Sequence, residues 1–207
     1  MAFYKKFYNH YWNTRSESGN RFRYSIFLSW VDKSAKILDI GCGDGFLSSL
    51  LIEKKDCSVT GLDISEVAAE KAKARGVDVV VANVEEPLPF EDNSFDFVIA
   101  TEVLEHITLS EELLLEMARV SRRYLLVSIP NSAFWKYRLQ LLFGKFPKQW
   151  LIHPREHLRF WAKTDFKKTI KELGLQIENI KAGSGRRYLR DFLPNLFAEQ
   201  ICFKIKI

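Results

Sequence analysis

The residues richest in chemistry lie in the run Ile37-Leu-Asp-Ile-Gly-Cys-Gly-Asp-Gly45. Glycines at 41, 43 and 45 let a chain turn tightly and let a ligand approach backbone where a Cβ would clash. The spacing is not GxGxxG, because the third glycine comes one residue early, so the run does not spell a pyrophosphate cradle at a helix N-terminus. Asp39 and Asp44 flank Cys42 with negative charge, which repels phosphates and suits a cationic ligand bearing an amino group. Asp63 stands 22 residues after Gly41, where an acid accepts from both hydroxyls of a ribose. Asn83 carries an amide able to read an adenine edge. Single glycines would read as ordinary turn residues. The nine-residue run together with Asp63 reads as a site for an adenosine with a charged amino-acid arm, and the glycine spacing disfavours a nicotinamide dehydrogenase.

These residues need strand ends to carry them. Ala35–Ile40 is an apolar run that stops at Gly41, and Phe46–Glu53 has helical composition. Ser58–Leu62 is strand-like and ends at Asp63, with helix formers following over Ser65–Arg75. Val77–Ala82 and Phe95–Ala100 read as the third and fourth strands, the latter after turn-rich Glu91–Ser94. Leu113, Leu114, Met117 and Val120 recur at helical spacing within Ser110–Val120, and Tyr124–Ile129 is a fifth strand closed by Pro130. Strands alternating with helices predict an α/β fold, a Rossmann-like doubly wound sheet with right-handed crossovers. Ligands bind such sheets outside the carboxyl ends of the strands. No repeat or Pro/Gly/Ser linker divides the chain, so one domain over residues 1–207 is expected.

Two flanking regions are of a different kind. Phe3, Tyr4, Phe7, Tyr8, Tyr11 and Trp12 mark an amphipathic helix in a cap over residues 1–34, placed to lie over the sheet's carboxyl edge. Ser132–Trp161 is an aromatic and basic insert with three readings: a lid packing its own small core, a holder for an apolar or anionic acceptor, or a platform stacking nucleobases. A helix over Lys163–Leu173 ends at Gly174, a C-cap, and late strands are expected near Leu175–Lys181 and Gln200–Ile207.

The net charge of +5 conceals an asymmetry. Residues 36–131 hold nine basic and eighteen acidic groups, whereas residues 132–207 hold sixteen basic and six acidic. A basic C-terminal third suits an anionic substrate, a nucleic acid or an acidic partner, or is simply a solvated face. Cys42, Cys57 and Cys202 are odd in number and widely spaced. They spell neither a disulfide framework nor a CxxC metal site. With no secretory pattern at the start and no membrane-length apolar run, a cytoplasmic, metal-independent protein is expected.

Ile37–Gly45 resembles the first motif of class I S-adenosylmethionine-dependent methyltransferases. Val59–Ser65 resembles their ribose-acid motif, and Phe95–His106 (FDFVIATEVLEH) is similar to their fourth-strand motif. The resemblance implies a seven-stranded sheet with the last strand antiparallel and S-adenosylmethionine as cofactor. It places Asp39, Gly41, Cys42, Gly43 and Gly45 at the methionine part, Asp63 on the ribose and Ile64 on adenine. Asn83 and Val84 fall at the adenine rim, and Thr101 and Glu102 on the sulfonium side. Ser128–Ser132, Trp135–Leu142 and especially Leu193–Gln200 (LPNLFAEQ) resemble the MetW family of methionine biosynthesis. That implies an accessory role beside a homoserine acetyltransferase, whereas Val103–Ile107 (VLEHI) is nearer to small-molecule methyltransferases.

Methyl transfer from a sulfonium is an in-line displacement that depends chiefly on positioning. It needs a base only when the acceptor is protonated. His106 and His157 are the candidates for that base, each weighed against a loop-bonding role. Arg23 either pairs with the cofactor's carboxylate or is solvated. No Asn/Asp-Pro-Pro-aromatic motif follows the fourth strand, where Thr101–Val103 stands. Exocyclic amines of nucleic acid are accordingly disfavoured, and a small-molecule acceptor is expected.

Overall fold

The computed structural model describes residues 2–14, 22–147, 149, 156–185 and 188–207. Trp150 and His153 of the aromatic insert lie outside the described residues. The strands are β1 (Lys36–Ile40), β2 (Ser58–Asp63), β3 (Asp78–Val81), β4 (Phe95–Thr101), β5 (Ser121–Pro130), β6 (Gln176–Gly185) and β7 (Ala198–Lys206). They form one sheet in the order β3-β2-β1-β4-β5-β7-β6. The first five pair in parallel, while β7 runs antiparallel between β5 and β6. Helices α1 (Ala2–Thr14), α2 (Phe22–Trp30), α3 (Phe46–Lys55), α4 (Glu66–Ala74), α5 (Ser110–Val120), α6 (Trp135–Leu142) and α7 (Lys163–Glu172) surround it. Two single turns, α8 (Leu189–Phe192) and α9 (Pro194–Phe197), lead into β7.

Period-two alternation divides the strand side chains between two cores. Ile37, Phe97, Ile99 and Leu126 pack with Phe27 and Trp30 of α2 and Leu47 and Leu51 of α3. Leu38, Ile40, Val98, Ala100 and Leu125 face the opposite side, against Leu113, Leu114 and Met117 of α5 and Phe166 and Ile170 of α7. Both faces are covered, which is why these strands read as continuous apolar runs. The order reverses between β1 and β4, and that switch point opens a crevice at the carboxyl ends of both.

Helix ends follow local chemistry. Ser65 caps α4, its hydroxyl accepting from the Ala68 amide at 3.2 Å. The carboxylate of Asp165 accepts from the Ala162 amide at 3.0 Å at the start of α7. Gly174, at φ +75°, lets the chain leave α7 for β6. Because β7 is antiparallel, its beginning reaches the carboxyl edge: Gln200 stands opposite Pro130, the last residue of β5.

The cap comprises two helices. α2 buries Arg23, Tyr24, Ile26, Phe27 and Trp30, whereas α1 crosses the carboxyl edge and is tied to α4 by Lys5–Glu66 at 2.7 Å. Among the described residues of the insert, the helix itself is not buried. α6 buries none of its residues, and Leu142 and Phe143 are about three-quarters exposed. At its two ends Phe134 is buried with its ring edge-on to Trp135 and Tyr137, and Trp161 is buried in the main core.

Phe166 stacks at a tilt on Phe203 with ring centroids 4.8 Å apart, and both are fully buried. Phe166→Ala is expected to cost about 3–5 kcal/mol through lost burial and a residual cavity. Urea denaturation followed by circular dichroism measures this, and a loss under about 1 kcal/mol would mean that α7 does not anchor the β6–β7 end.

Candidate functional site

A cavity of about 700 Å³ opens at the carboxyl ends of β1, β2, β4 and β5, with α1 lying over it. Arg23, Gly41, Cys42, Gly43, Asp63, Ile64, Asn83, Val84, Thr101, Glu102, His106 and His157 all line it. Twelve positions spread from 23 to 157 in sequence therefore meet in one place.

The loop after β1 is held from below and from the side. Gly41 donates its amide to the Leu62 carbonyl at 2.7 Å. Gly43 donates to Asp63 Oδ2 at 2.9 Å, and Asp63 Oδ1 accepts from the Ser65 amide at 2.8 Å. Gly43 has φ +57°, and a Cβ there would lie 2.5 Å from the Trp12 ring. Glycine thus serves both the left-handed backbone and the close approach of α1. Burial pushes the Asp63 carboxyl up, while the amides of Ser65, Gly43 and Ile64 draw it back down.

Asp39 and Gly45 belong to the loop's foundation and do not line the cavity. Strand alternation turns Asp39 toward α3, where Ser48 donates to its Oδ2 at 2.5 Å and its Oδ1 has no partner. Gly45 forms the N-terminal cap position of α3, packed against Ala72. Burial raises the Asp39 carboxyl to about 7, the Ser48 hydrogen bond opposing this and the Asp63 charge adding to it. Cys42, Cys57 and Cys202 are free and buried, and burial raises each thiol.

At the adenine-side rim, Asn83 Oδ1 accepts from the Glu85 amide at 3.1 Å, which leaves its NH₂ as the donor. On the β4 side Glu102 takes φ +56°. Its carboxylate accepts from Ser128 Oγ at 2.9 Å and from Gln200 Nε2 at 2.7 Å. Arg23, only 5% exposed, donates from Nη1 to Gln200 Oε1 at 3.3 Å, and its buried Nε has no partner. Gln200 thus joins Glu102 to Arg23. It lay within the quoted LPNLFAEQ motif, but only the antiparallel register of β7 brings it into the cavity.

Farther along β4, a single helical turn Leu104–His106 carries Glu105 and His106. The Nδ1–H of His106 donates to the Glu156 carbonyl, so Nε2 holds the lone pair. Burial lowers both imidazoles, His157 to about 4 with the neighbouring His106 adding to the effect. Both are therefore neutral near neutral pH. Their rings meet edge to face at 4.9 Å. Tyr8 of α1 faces His106 edge-on at 6.3 Å, its phenol raised by burial and then by Glu105. Tyr137 of α6 also lines the cavity, its phenol pushed up to about 12 by burial.

The electrostatics are one-sided. Among the described residues, seven carboxylates line the cavity (Asp44, Asp63, Glu85, Glu102, Glu105, Glu156 and Glu199) against one arginine, Arg23. Among the described residues of the basic C-terminal third, those that reach it are neutral or acidic: Tyr137, Gln149, Glu156, His157, Glu199 and Gln200. The site suits a cationic ligand, and the basic surplus of the described residues lies elsewhere. No described helix is long and apolar enough to cross a membrane.

Residues 21–205 match the family described as methionine biosynthesis protein MetW. The chain belongs to the MetW family. Among curated relatives, the bifunctional methionine biosynthesis protein MetXA/MetW of Rhodopirellula baltica is 27% identical over 192 residues, covering 83% of this chain and 30% of that protein. The ubiquinone biosynthesis O-methyltransferase of Aromatoleum aromaticum is 34% identical over 109 residues, 47% of this chain and 46% of the relative. The MetW chain thus spans less than half of each. Among solved structures, the magnesium protoporphyrin IX methyltransferase of Synechocystis PCC 6803, with bound S-adenosylhomocysteine, superposes at TM-score 0.71 with 17% identity, covering 99% of this chain and 98% of that one. A SAM-dependent methyltransferase from Archaeoglobus fulgidus gives 0.69 with 18% identity over 89% and 91%. The fold of this MetW member is that of the Rossmann-like methyltransferases.

Folding retains the Asp39 proton up to about pH 7, whereas an unperturbed carboxyl releases it near 3.8. The contribution of this group favours the fold at acid pH and is lost as pH climbs through that window. Asp39→Asn, neutral throughout, is expected to match the wild type at about pH 4 and exceed its Tm at about pH 8. Parallel Tm–pH curves from thermal denaturation would refute a buried, proton-holding Asp39.

Proposed function

We propose that this MetW-family chain is an S-adenosylmethionine-dependent methyltransferase acting on a small molecule, with residues 1–207 working as one domain. The observation that carries the reading is the acid-lined cavity at the switch point, closed at one end by Asp63 holding Gly43. The residues present fit the cofactor. A carboxylate set accommodates a sulfonium and an ammonium, and the buried, unpartnered Nε of Arg23 awaits a carboxylate. Bound there, S-adenosylmethionine supplies an activated methyl group.

In this assignment Asp63 accepts from the ribose hydroxyls, with Ile64, Asn83 and Val84 around the adenine. The backbone of Gly41, Cys42 and Gly43 runs along the methionine arm, Arg23 pairs with its carboxylate, and Thr101 and Glu102 stand at the sulfonium. α1 excludes water, since Tyr8, Tyr11 and Trp12 lie across the cavity. His106 and His157 present neutral imidazoles to the acceptor, and positioning supplies most of the rate. The similarity to a ubiquinone biosynthesis O-methyltransferase supports a small-molecule acceptor.

A second reading is an accessory role beside a homoserine acetyltransferase. It is supported by the bifunctional relative that joins MetXA and MetW in one protein. Co-purification of a tag-free acetyltransferase with this chain tests it, and failure to associate at micromolar concentrations would remove it.

Asp63→Ala removes the acceptor for two hydroxyl hydrogen bonds, each worth roughly 1–3 kcal/mol when a buried partner is left unmet. S-adenosylmethionine affinity measured by calorimetry is expected to fall at least about 100-fold. Unchanged affinity in a folded variant would overturn the cofactor assignment.

A further inference from the structure

We propose that Glu105, His106 and His157 form a site for a divalent transition metal, with Zn²⁺ the best fit, at the end of the cavity where the acceptor binds. The three side chains each offer one ligand atom, and these atoms lie within 4.8 Å of one another. Oε1 of Glu105 is 3.9 Å from Nε2 of His106, too far for a hydrogen bond. Metal–ligand bonds of about 2.0–2.2 Å span such a gap after side-chain adjustments of under about 1 Å.

The strongest indication is what these atoms lack. Glu105 is 1% exposed, and among the described residues neither carboxylate oxygen has a hydrogen-bond partner. Nδ1 of His157 is likewise buried and unpartnered. Buried polar atoms are almost always satisfied, and here three unsatisfied ones belong to two residues of the same cluster. Burial and then the Glu102 charge push the Glu105 carboxyl up, and the pull of Arg23 is weaker than either. A cation between Glu105 and the imidazoles relieves that repulsion.

The surroundings hold the three residues in place. The Nδ1–H of His106 is committed to the Glu156 carbonyl, as a metal-ligating histidine commits its second nitrogen. The amides of Leu158 and Arg159 both donate to the Glu105 carbonyl, at 2.7 and 3.1 Å. The side chain of Arg159 reaches the Thr108 carbonyl and, at 3.3 Å, Glu111. The segment carrying His157 is thereby pinned to the turn carrying Glu105 and His106. Both imidazoles are neutral, the form that binds metal.

Two imidazoles and one carboxylate suit Zn²⁺ better than Mg²⁺. Three protein ligands leave a coordination position for an oxygen of the acceptor. A metal held there would favour an acceptor hydroxyl bound as its oxyanion, the O–H electron pair staying on oxygen and the proton passing to bulk water as the acceptor enters. This use of the metal rests on the methyltransferase reading. The metal site itself does not.

The test is calorimetric titration of ZnCl₂ into EDTA-treated, dialysed, tag-free full-length protein, with CoCl₂ absorption as a signature of the ligand set. The wild type is expected to bind one equivalent at micromolar affinity or tighter, with visible cobalt bands. His157→Ala and Glu105→Gln are each expected to weaken Zn²⁺ at least about 10-fold and to lose those bands, while their circular dichroism shows folded protein. Glu105→Gln keeps the side chain's size, so it answers the question if His157→Ala fails to fold. No stoichiometric Zn²⁺ uptake, or equal uptake by wild type and folded variants, overturns the proposal, as does MgCl₂ binding without ZnCl₂ binding. A separate titration of the wild type with S-adenosylmethionine tells the two ideas apart: its failure removes the methyltransferase reading and leaves metal binding to stand on its own result.

Discussion

The carboxylate of Asp63 bonded to the amide of Gly43 is the contact on which the site's architecture depends. It joins the end of β2 to the loop after β1, across the point where two parallel strands would otherwise splay. Desolvation opposes a charge at that depth, and hydrogen bonds from the loop and from the start of α4 support it. The same loop conformation brings Gly43 beneath Trp12, so α1 is seated through the loop that the carboxylate holds. Asn9 of α1 accepts from the Ser65 hydroxyl at 2.7 Å, one residue from the Ser65–Asp63 contact. Loop, Asp63 and cap thus form one hydrogen-bonded unit.

Charge is the second organising constraint. A cavity lined by seven acidic residues and one arginine needs proton retention, hydrogen bonding or a neighbouring cation to offset the negative charge. The protein uses all three. Burial favours the proton on Glu105, as it does on Asp39 beneath the loop, Asp63 and Glu102 collect donors, and Arg23 sits close enough to pull on Glu105. Glu105 gains no hydrogen bond to its carboxyl oxygens among the described residues and stands beside two neutral imidazoles.

Much of the fold was legible because both faces of the sheet are covered. Apolar runs ending at Gly41, Asp63 and Pro130 marked strands whose ends fell within a few residues of prediction, and the 3.6-residue period over Ser110–Val120 matched α5 at both ends. The binding loop was legible for a local reason: glycines at 41, 43 and 45 adopt positive φ, a backbone state that few other residues accept. The insert was harder to read. Its aromatic residues left three readings open, because hydrophobic composition does not say which neighbour is available to cover them: Phe134 and Trp161 are buried, whereas α6 buries none of its residues.

The sequence by itself determined the strand–loop–helix unit and the acid at the end of β2, since each depends on residues within a short stretch or at a strand end. Tertiary structure decided which candidates touch the cavity. Asp39 turns beneath the loop because strand side chains alternate, and Gln200 enters because β7 runs antiparallel beside β5. His157, far along the chain from Glu105, meets it only because the amides of Leu158 and Arg159 are bound to the Glu105 carbonyl. Spacing in sequence reports metal ligands when they share one turn or one helix. Here long-range backbone hydrogen bonds bring them together, and only the folded chain displays those.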